Sequence, residues 1–171
     1  MTPRVGRKAQ VALDGLADLI ERFDHVSMAV WDIASSLGMV EALGGEFAGG
    51  GDVADFRWAQ WVLPGGDAKI ELVQPRDPEA ADHFLARFLA ERGPGWHHVT
   101  FKVHDLAAAV RRAREIGFDV VGVDDEGPWK EAFLHPRSTG GVLVQLAQWT
   151  ERTGPTPTLD EVLAGGVDGT V

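Results

Sequence analysis

At 171 residues, 44% of them hydrophobic, the chain is long enough to bury one core or two small halves that share one. A formal charge of −10 argues against a phosphate-backbone binder, which needs clustered Lys and Arg, so no nucleic-acid partner is expected. The absence of cysteine excludes disulfides, thiolate ligands and thiol nucleophiles and is compatible with a cytoplasmic location.

Residues Lys8 to Arg22 place Leu13, Leu16, Leu19 and Ile20 at helical spacing, which predicts a short amphipathic N-terminal extension, residues 1–22, that docks or dimerises. Its two aspartates, Asp14 and Asp18, spoil a signal-peptide core, and no apolar run reaches membrane-spanning length, so no membrane partner is expected. A strand from Phe23 to Trp31 follows, then a helix from Ile33 to Leu43 that Gly44-Gly45 ends. A short strand at Glu46-Phe47-Ala48, a turn at Gly49-Gly50-Gly51-Asp52, and strands over Phe56–Leu63 and Lys69–Gln74 complete a first βαβββ module, residues 23–76. Residues 77–95 read as a linker helix, with Asp77 as its cap, Pro78 in its first turn and Phe84, Leu85, Phe88 and Leu89 as its stripe. The order then repeats over residues 96–149. Strands at His97–Val103, Phe118–Val121, Trp129–Leu134 and Val142–Leu146 accompany an Asp105-capped helix. The tail, residues 150–171, carries the capping box Thr158-Leu159-Asp160-Glu161.

The first strands of the two modules share a pattern. Val26, Met28 and Val30 alternate with His25, Ser27 and Ala29, just as Val99, Phe101 and Val103 alternate with His98, Thr100 and Lys102, which predicts one buried and one wetter face. In each last strand a polar residue, Glu71 or Gln145, interrupts an apolar run. The spacings 71 − 25 = 46 and 145 − 98 = 47 nearly superpose. Two imidazoles, a carboxylate and an amide oxygen form the donor set of a divalent transition-metal site with open positions. With neutral imidazoles such an ion keeps net positive charge, which favours a small anionic substrate, and imidazole ligation predicts metal loss below about pH 6. His97 points to the face opposite His98 and reads as structural; His83 and His104 read as surface histidines. Trp58, Trp61, Trp96 and Trp129 are placed near pocket edges.

Paired βαβββ modules carrying His25, Glu71, His98 and Gln145 resemble the vicinal oxygen chelate superfamily of glyoxalases, extradiol dioxygenases, antibiotic-resistance proteins and methylmalonyl-CoA epimerases. Within it, the stretches Phe84 to His98 and Phe133 to Val144 resemble methylmalonyl-CoA epimerase. The resemblance implies an α+β fold in which the two modules form an open eight-stranded cup around a metal site, and a homodimer. It implies Co, Mn, Ni, Zn or Fe held by His25, Glu71, His98 and Gln145, and epimerisation of an acyl-CoA-type substrate through a metal-stabilised enolate. Glu71 and Gln145 are then the catalytic positions. Epimerases of this type usually carry glutamate at the position of Gln145, and an amide cannot take a proton from carbon, so Glu71 becomes the expected base and Gln145→Glu the exchange expected to restore a second acid/base group. The third strand of the first module, Phe56 to Trp61, offers no carboxylate. Lys130, His135, Arg137 and Ser138 are expected to bind the substrate's carboxylate or phosphate. The alternatives are a glyoxalase-like lyase, an extradiol-type dioxygenase and a non-catalytic protein that binds a hydrophobic ligand.

Overall fold

The computed structural model describes residues 15–80, 82–150 and 155–169. Eight strands and four helices follow in the order β1 Ile20–Ala29, α1 Leu37–Ala42, β2 Glu46–Val53, β3 Phe56–Val62, β4 Lys69–Pro75, α2 Phe84–Arg92, β5 Gly95–Val103, α3 Leu106–Glu115, β6 Val120–Asp124, β7 Trp129–Leu134, β8 Val144–Trp149 and α4 Leu159–Ala164. The architecture is α+β, as expected. The chain divides into two compact units, with breaks inside β1 at Phe23/Asp24, inside β5 at His98/Val99, and after Thr150.

In the first half the strand order is β2-β3-β4-β1, and in the second it is β5-β8-β7-β6. Each half closes its module the same way. The first strand pairs parallel with the last, Ser27 opposite Glu71 in one half and Thr100 opposite Gln145 in the other, and the remaining pairs are antiparallel. His25 and His98 stand two residues before Ser27 and Thr100, so the repeat inferred from spacing exists in the register.

The first half buries Val30, Ile33, Val40, Trp61, Ile70 and Leu72 together with Val162 of α4, while Leu85 and Leu89 of α2 cover Ala29 and Val73. In the second half α3 lays Leu106, Ala109, Val110 and Ala113 against Ala132, Leu134 and Leu146. Asp105 caps α3 by accepting from Ala108 N at 2.9 Å, and the Thr158–Glu161 capping box opens α4. Both follow the sequence reading.

Several expectations change. The extension predicted as a helix falls outside the described residues up to Asp14; residues 15–19 form a turn, and Ile20 to Arg22 already belong to β1. Gly49, Gly50 and Gly51 are not a turn but the middle of β2. A Cβ on Gly50 would lie 2.6 Å from Trp58 O and one on Gly51 2.5 Å from Gly169 Cα, so glycine is there for close backbone approach. Helix α2 starts at Phe84, seven residues after Asp77, whose carboxylate instead accepts from Glu79 N in a turn. The polar rows of β1 and β5 are not wet: Ser27 and Thr100 are fully buried, and Lys102 nearly so, with its ammonium 3.3 Å from Glu21 and 4.8 Å from the centre of the Trp149 ring. Burial of polar groups on this scale requires partners, and those partners define the site.

Candidate metal centre

Strand parity puts His25, Ser27 and Ala29 on one face of β1, and Glu71 and Val73 on the corresponding face of β4. Helix α2 covers the apolar end of this row; the other end is polar. There His25 is 2% exposed and Glu71 8%. Glu71 Oε1 accepts from the Ser27 hydroxyl at 2.8 Å and lies 3.5 Å from His25 Nε2, while Oε2 accepts from Gln60 Nε2 at 2.9 Å. Gln60 reaches it because β3 pairs Gln60 directly opposite Glu71. On its other side His25 donates Nδ1–H to Asp24 Oδ1 at 2.9 Å, and Lys69 Nζ holds the same oxygen at 2.7 Å. That arrangement fixes the tautomer and leaves Nε2 of His25 on the Glu71 side.

Histidine 98 completes the group. One ligand atom from each of His25, Glu71 and His98 lies within 4.8 Å of the others, the one cluster of this kind among the described residues, and all three belong to the compact unit that includes Asp24–His98. Two imidazoles and a carboxylate so placed match the donor set of a divalent ion. The electrostatics agree. Burial disfavours a charge on His25, yet the Glu71 and Asp24 carboxylates outweigh it and push its pKa up to about 9. Burial also works against the Glu71 carboxylate, but the adjacent imidazoles and the Gln60 amide bring its pKa well below the usual range. Both shifts favour a protonated His25 beside an ionised Glu71, with His25 Nε2 3.5 Å from Glu71 Oε1.

His97 is neither opposite nor idle. Its Nδ1 lies 2.9 Å from His98 Nδ1, and its ring sits edge-on to Phe88 at 4.9 Å and tilted against Phe84 at 5.7 Å.

In the second half Gln145 occupies the place of Glu71. Its Oε1 accepts from the Thr100 hydroxyl at 2.6 Å, and its Nε2 donates at 2.6 Å to Glu131, which also accepts from Trp129 Nε1 at 2.9 Å. Glu131 is the residue the sequence reading missed. The third strand of the first module, β3, carries no carboxylate, whereas that of the second, β7, carries Glu131. The available signal was parity: Glu131 shares a face of β7 with Phe133, which pairs with Gln145.

The four residues expected to bind substrate carboxylate or phosphate also lie in the second half. Lys130, on β7, pairs with Gln148 of β8. His135, Arg137 and Ser138 form a tight turn after β7. His135 Nδ1 accepts from Arg137 N, the Arg137 guanidinium holds Asp119 at 2.6 Å, and Ser138 Oγ accepts from Asp119 N and donates to His135 O. The tryptophans divide: Trp61 is core, Trp58 donates Nε1–H to Gly169 O, Trp129 stacks on Trp149 and Trp96 is exposed. His83 is no surface histidine; it is buried, its nitrogens lack hydrogen-bond partners among the described residues, and Nε2 lies 3.4 Å from Asp55 Oδ2.

Residues 24–133 match the model of the Glyoxalase/Bleomycin resistance protein/Dioxygenase superfamily, and the chain belongs to it. Within that superfamily, the proteins it is similar to include epimerases. The ethylmalonyl-CoA/methylmalonyl-CoA epimerase of Cereibacter sphaeroides is 31% identical over 137 residues, which span 76% of this chain and 99% of that protein. The crystal structure of methylmalonyl-CoA epimerase from Mycobacterium tuberculosis superposes with a TM-score of 0.68 at 30% identity, covering 79% of this chain and 92% of that one. A Streptomyces coelicolor methylmalonyl-CoA epimerase variant in complex with 2-nitronate-propionyl-CoA gives 0.66 at 26% identity, over 80% and 99% of the two chains. Among the described residues no helix is long and apolar enough to cross a membrane.

Proposed function

We propose that this protein is a divalent-metal-dependent epimerase of an acyl-CoA ester bearing an acidic α-hydrogen, with His25, Glu71 and His98 as ligands. Gln145 is the register counterpart of Glu71 in the second half, and its amide is held by Thr100 and Glu131. The observation that carries the proposal is the burial of the Glu71 carboxylate beside two imidazoles whose outer nitrogens are already held. The epimerase relatives, one of them bound to an acyl-CoA analogue, support the reaction class and the substrate class. Glu71 is the base in this reading. Because its neighbours keep it strongly ionised it is a weak base, and it works only on an acidified C–H bond. A divalent ion bound to the thioester oxygen would supply that acidity.

Protein purified without chelator is expected to carry one ion per chain, which His98→Ala removes. In heavy water the loaded protein should exchange the α-hydrogen of methylmalonyl-CoA faster than buffer does. Stoichiometric metal in His98→Ala overturns the site, and no exchange above background with fully loaded protein overturns this substrate.

A further inference from the structure

Each candidate ligand histidine is preceded by a residue that engages its Nδ1. In β1 the group is a carboxylate, Asp24 Oδ1 at 2.9 Å from His25; in β5 it is an imidazole, His97 Nδ1 at 2.9 Å from His98. Residues adjacent in a strand normally point to opposite faces, so neither contact follows from strand geometry alone. We propose that His97 is a positioning residue for metal binding: it accepts the Nδ1–H of His98 and thereby presents Nε2 of His98 as the ligand atom. The inference rests on the metal reading above and goes beyond it by giving a role to a residue outside the ligand set.

The proton count supports this direction. Two Nδ1 atoms at hydrogen-bonding distance share one hydrogen, so one ring donates and the other accepts. If His98 uses Nε2 for the ion, its Nδ1 carries the hydrogen, and His97 must be neutral with its own hydrogen on Nε2. The surroundings favour a neutral His97: Phe84 and Phe88 of α2 press apolar rings on its own. The stripe that docks α2 through Leu85 and Leu89 therefore also sets the orientation of a ligand in β5. The two ligands become unequal. His25 is backed by an anion, which raises its basicity, and His98 by a neutral ring.

The test compares cobalt binding, read by the visible absorption of Co2+, in the full chain and three variants. His97→Phe keeps an aromatic ring and removes the acceptor; His97→Asn places an amide oxygen near the position of Nδ1. We expect His97→Phe to weaken cobalt binding roughly 10- to 100-fold, as loss of a partner behind a ligand typically does, and His97→Asn to recover most of that loss. Wild-type affinity in His97→Phe, or His97→Asn as weak as His97→Phe, overturns the proposal while leaving the metal site standing. Cobalt binding unchanged in His98→Ala overturns both. Nitrogen-15 correlation spectra of zinc-loaded wild-type protein need no variant: hydrogen on Nε2 of His97 and on Nδ1 of His98 is expected, and the reverse tautomers overturn the proposal.

Discussion

In the first half a carboxylate on the last strand, Glu71, is gripped by a hydroxyl from the first strand and an amide from the third, Gln60. In the second half the hydroxyl remains, as Thr100, but the amide is on the last strand as Gln145 and the carboxylate on the third as Glu131. The repeat has kept the clamp and exchanged the charge. What it conserves physically is a buried polar triad with complementary donors and acceptors, and either arrangement satisfies it. What it does not conserve is which strand carries the anion. The Glu71 carboxylate lies beside the two imidazoles, so there the clamp offers the donor set for a metal ion.

The comparison breaks first at Glu71. Glu71→Gln would give both last strands an amide, leaving two neutral imidazoles to hold an ion. Loss of α-hydrogen exchange by about 10²- to 10⁴-fold is expected at saturating metal, measured by mass spectrometry of substrate in heavy water. Retained exchange would move the base elsewhere.

The second difference is protonic. With its pKa near 9 in the metal-free protein, His25 must lose a proton before Nε2 can bind an ion. Metal affinity should therefore fall about tenfold per pH unit from pH 9 downward, starting well above the value near 6 that an unperturbed imidazole suggests. Cobalt titrations at stepped pH, with proton release followed in weak buffer, check this. The same shift has the opposite effect on the empty fold: the stability contributed by the His25 ion pairs is full below about pH 6.5 and lost as pH rises through about 9.

The exchange of charge can also be reversed. Gln145→Glu alone sets a second carboxylate against Glu131, where the amide now donates at 2.6 Å, and should destabilise the protein by about 1–3 kcal/mol. Gln145→Glu with Glu131→Gln restores a carboxylate on the last strand and an amide on the third, from the diagonal position of Glu131, and should recover most of it, a coupling of about 0.5–3 kcal/mol in a thermal-melt double-mutant cycle. Additive losses would show that the two side chains do not depend on each other. Gln145→Glu therefore needs its partner change before it can serve as a new acid/base group. The smallest effect is expected at Arg137. Its ion pair with Asp119 is largely exposed, and Arg137→Ala should change stability by less than about 1 kcal/mol.

The repeat was legible because register is arithmetic: spacings of 46 and 47 residues put His25 and Glu71, and His98 and Gln145, at matching places on paired strands. Strand alternation found the correct face but not its environment, since period two marks which residues share a side and says nothing of what covers it. Thus Thr100 and Lys102 were read as wetter, whereas hydroxyl, amide and ion-pair partners from distant strands let them be buried. Glu131 escaped notice because its partner is 14 residues away across a hairpin. His97 escaped for the opposite reason: its partner is its neighbour, and a simple strand would have turned the two rings apart.

The glycine run in β2 has a consequence for handling the protein. β2 is the outermost strand of its half, and Gly51 is where the C-terminal segment comes close enough for Asp168 to bridge to Asp52, with Gly169 N donating to Asp52 O at 2.8 Å. A bare edge of this kind, with small residues and free amides, is a template for another chain to pair with, and here residues 167–169 take that position. Truncation after Thr150 would leave the edge strand uncovered. The shortened protein should aggregate more readily than the full chain at equal concentration, even with His25, Glu71 and His98 intact.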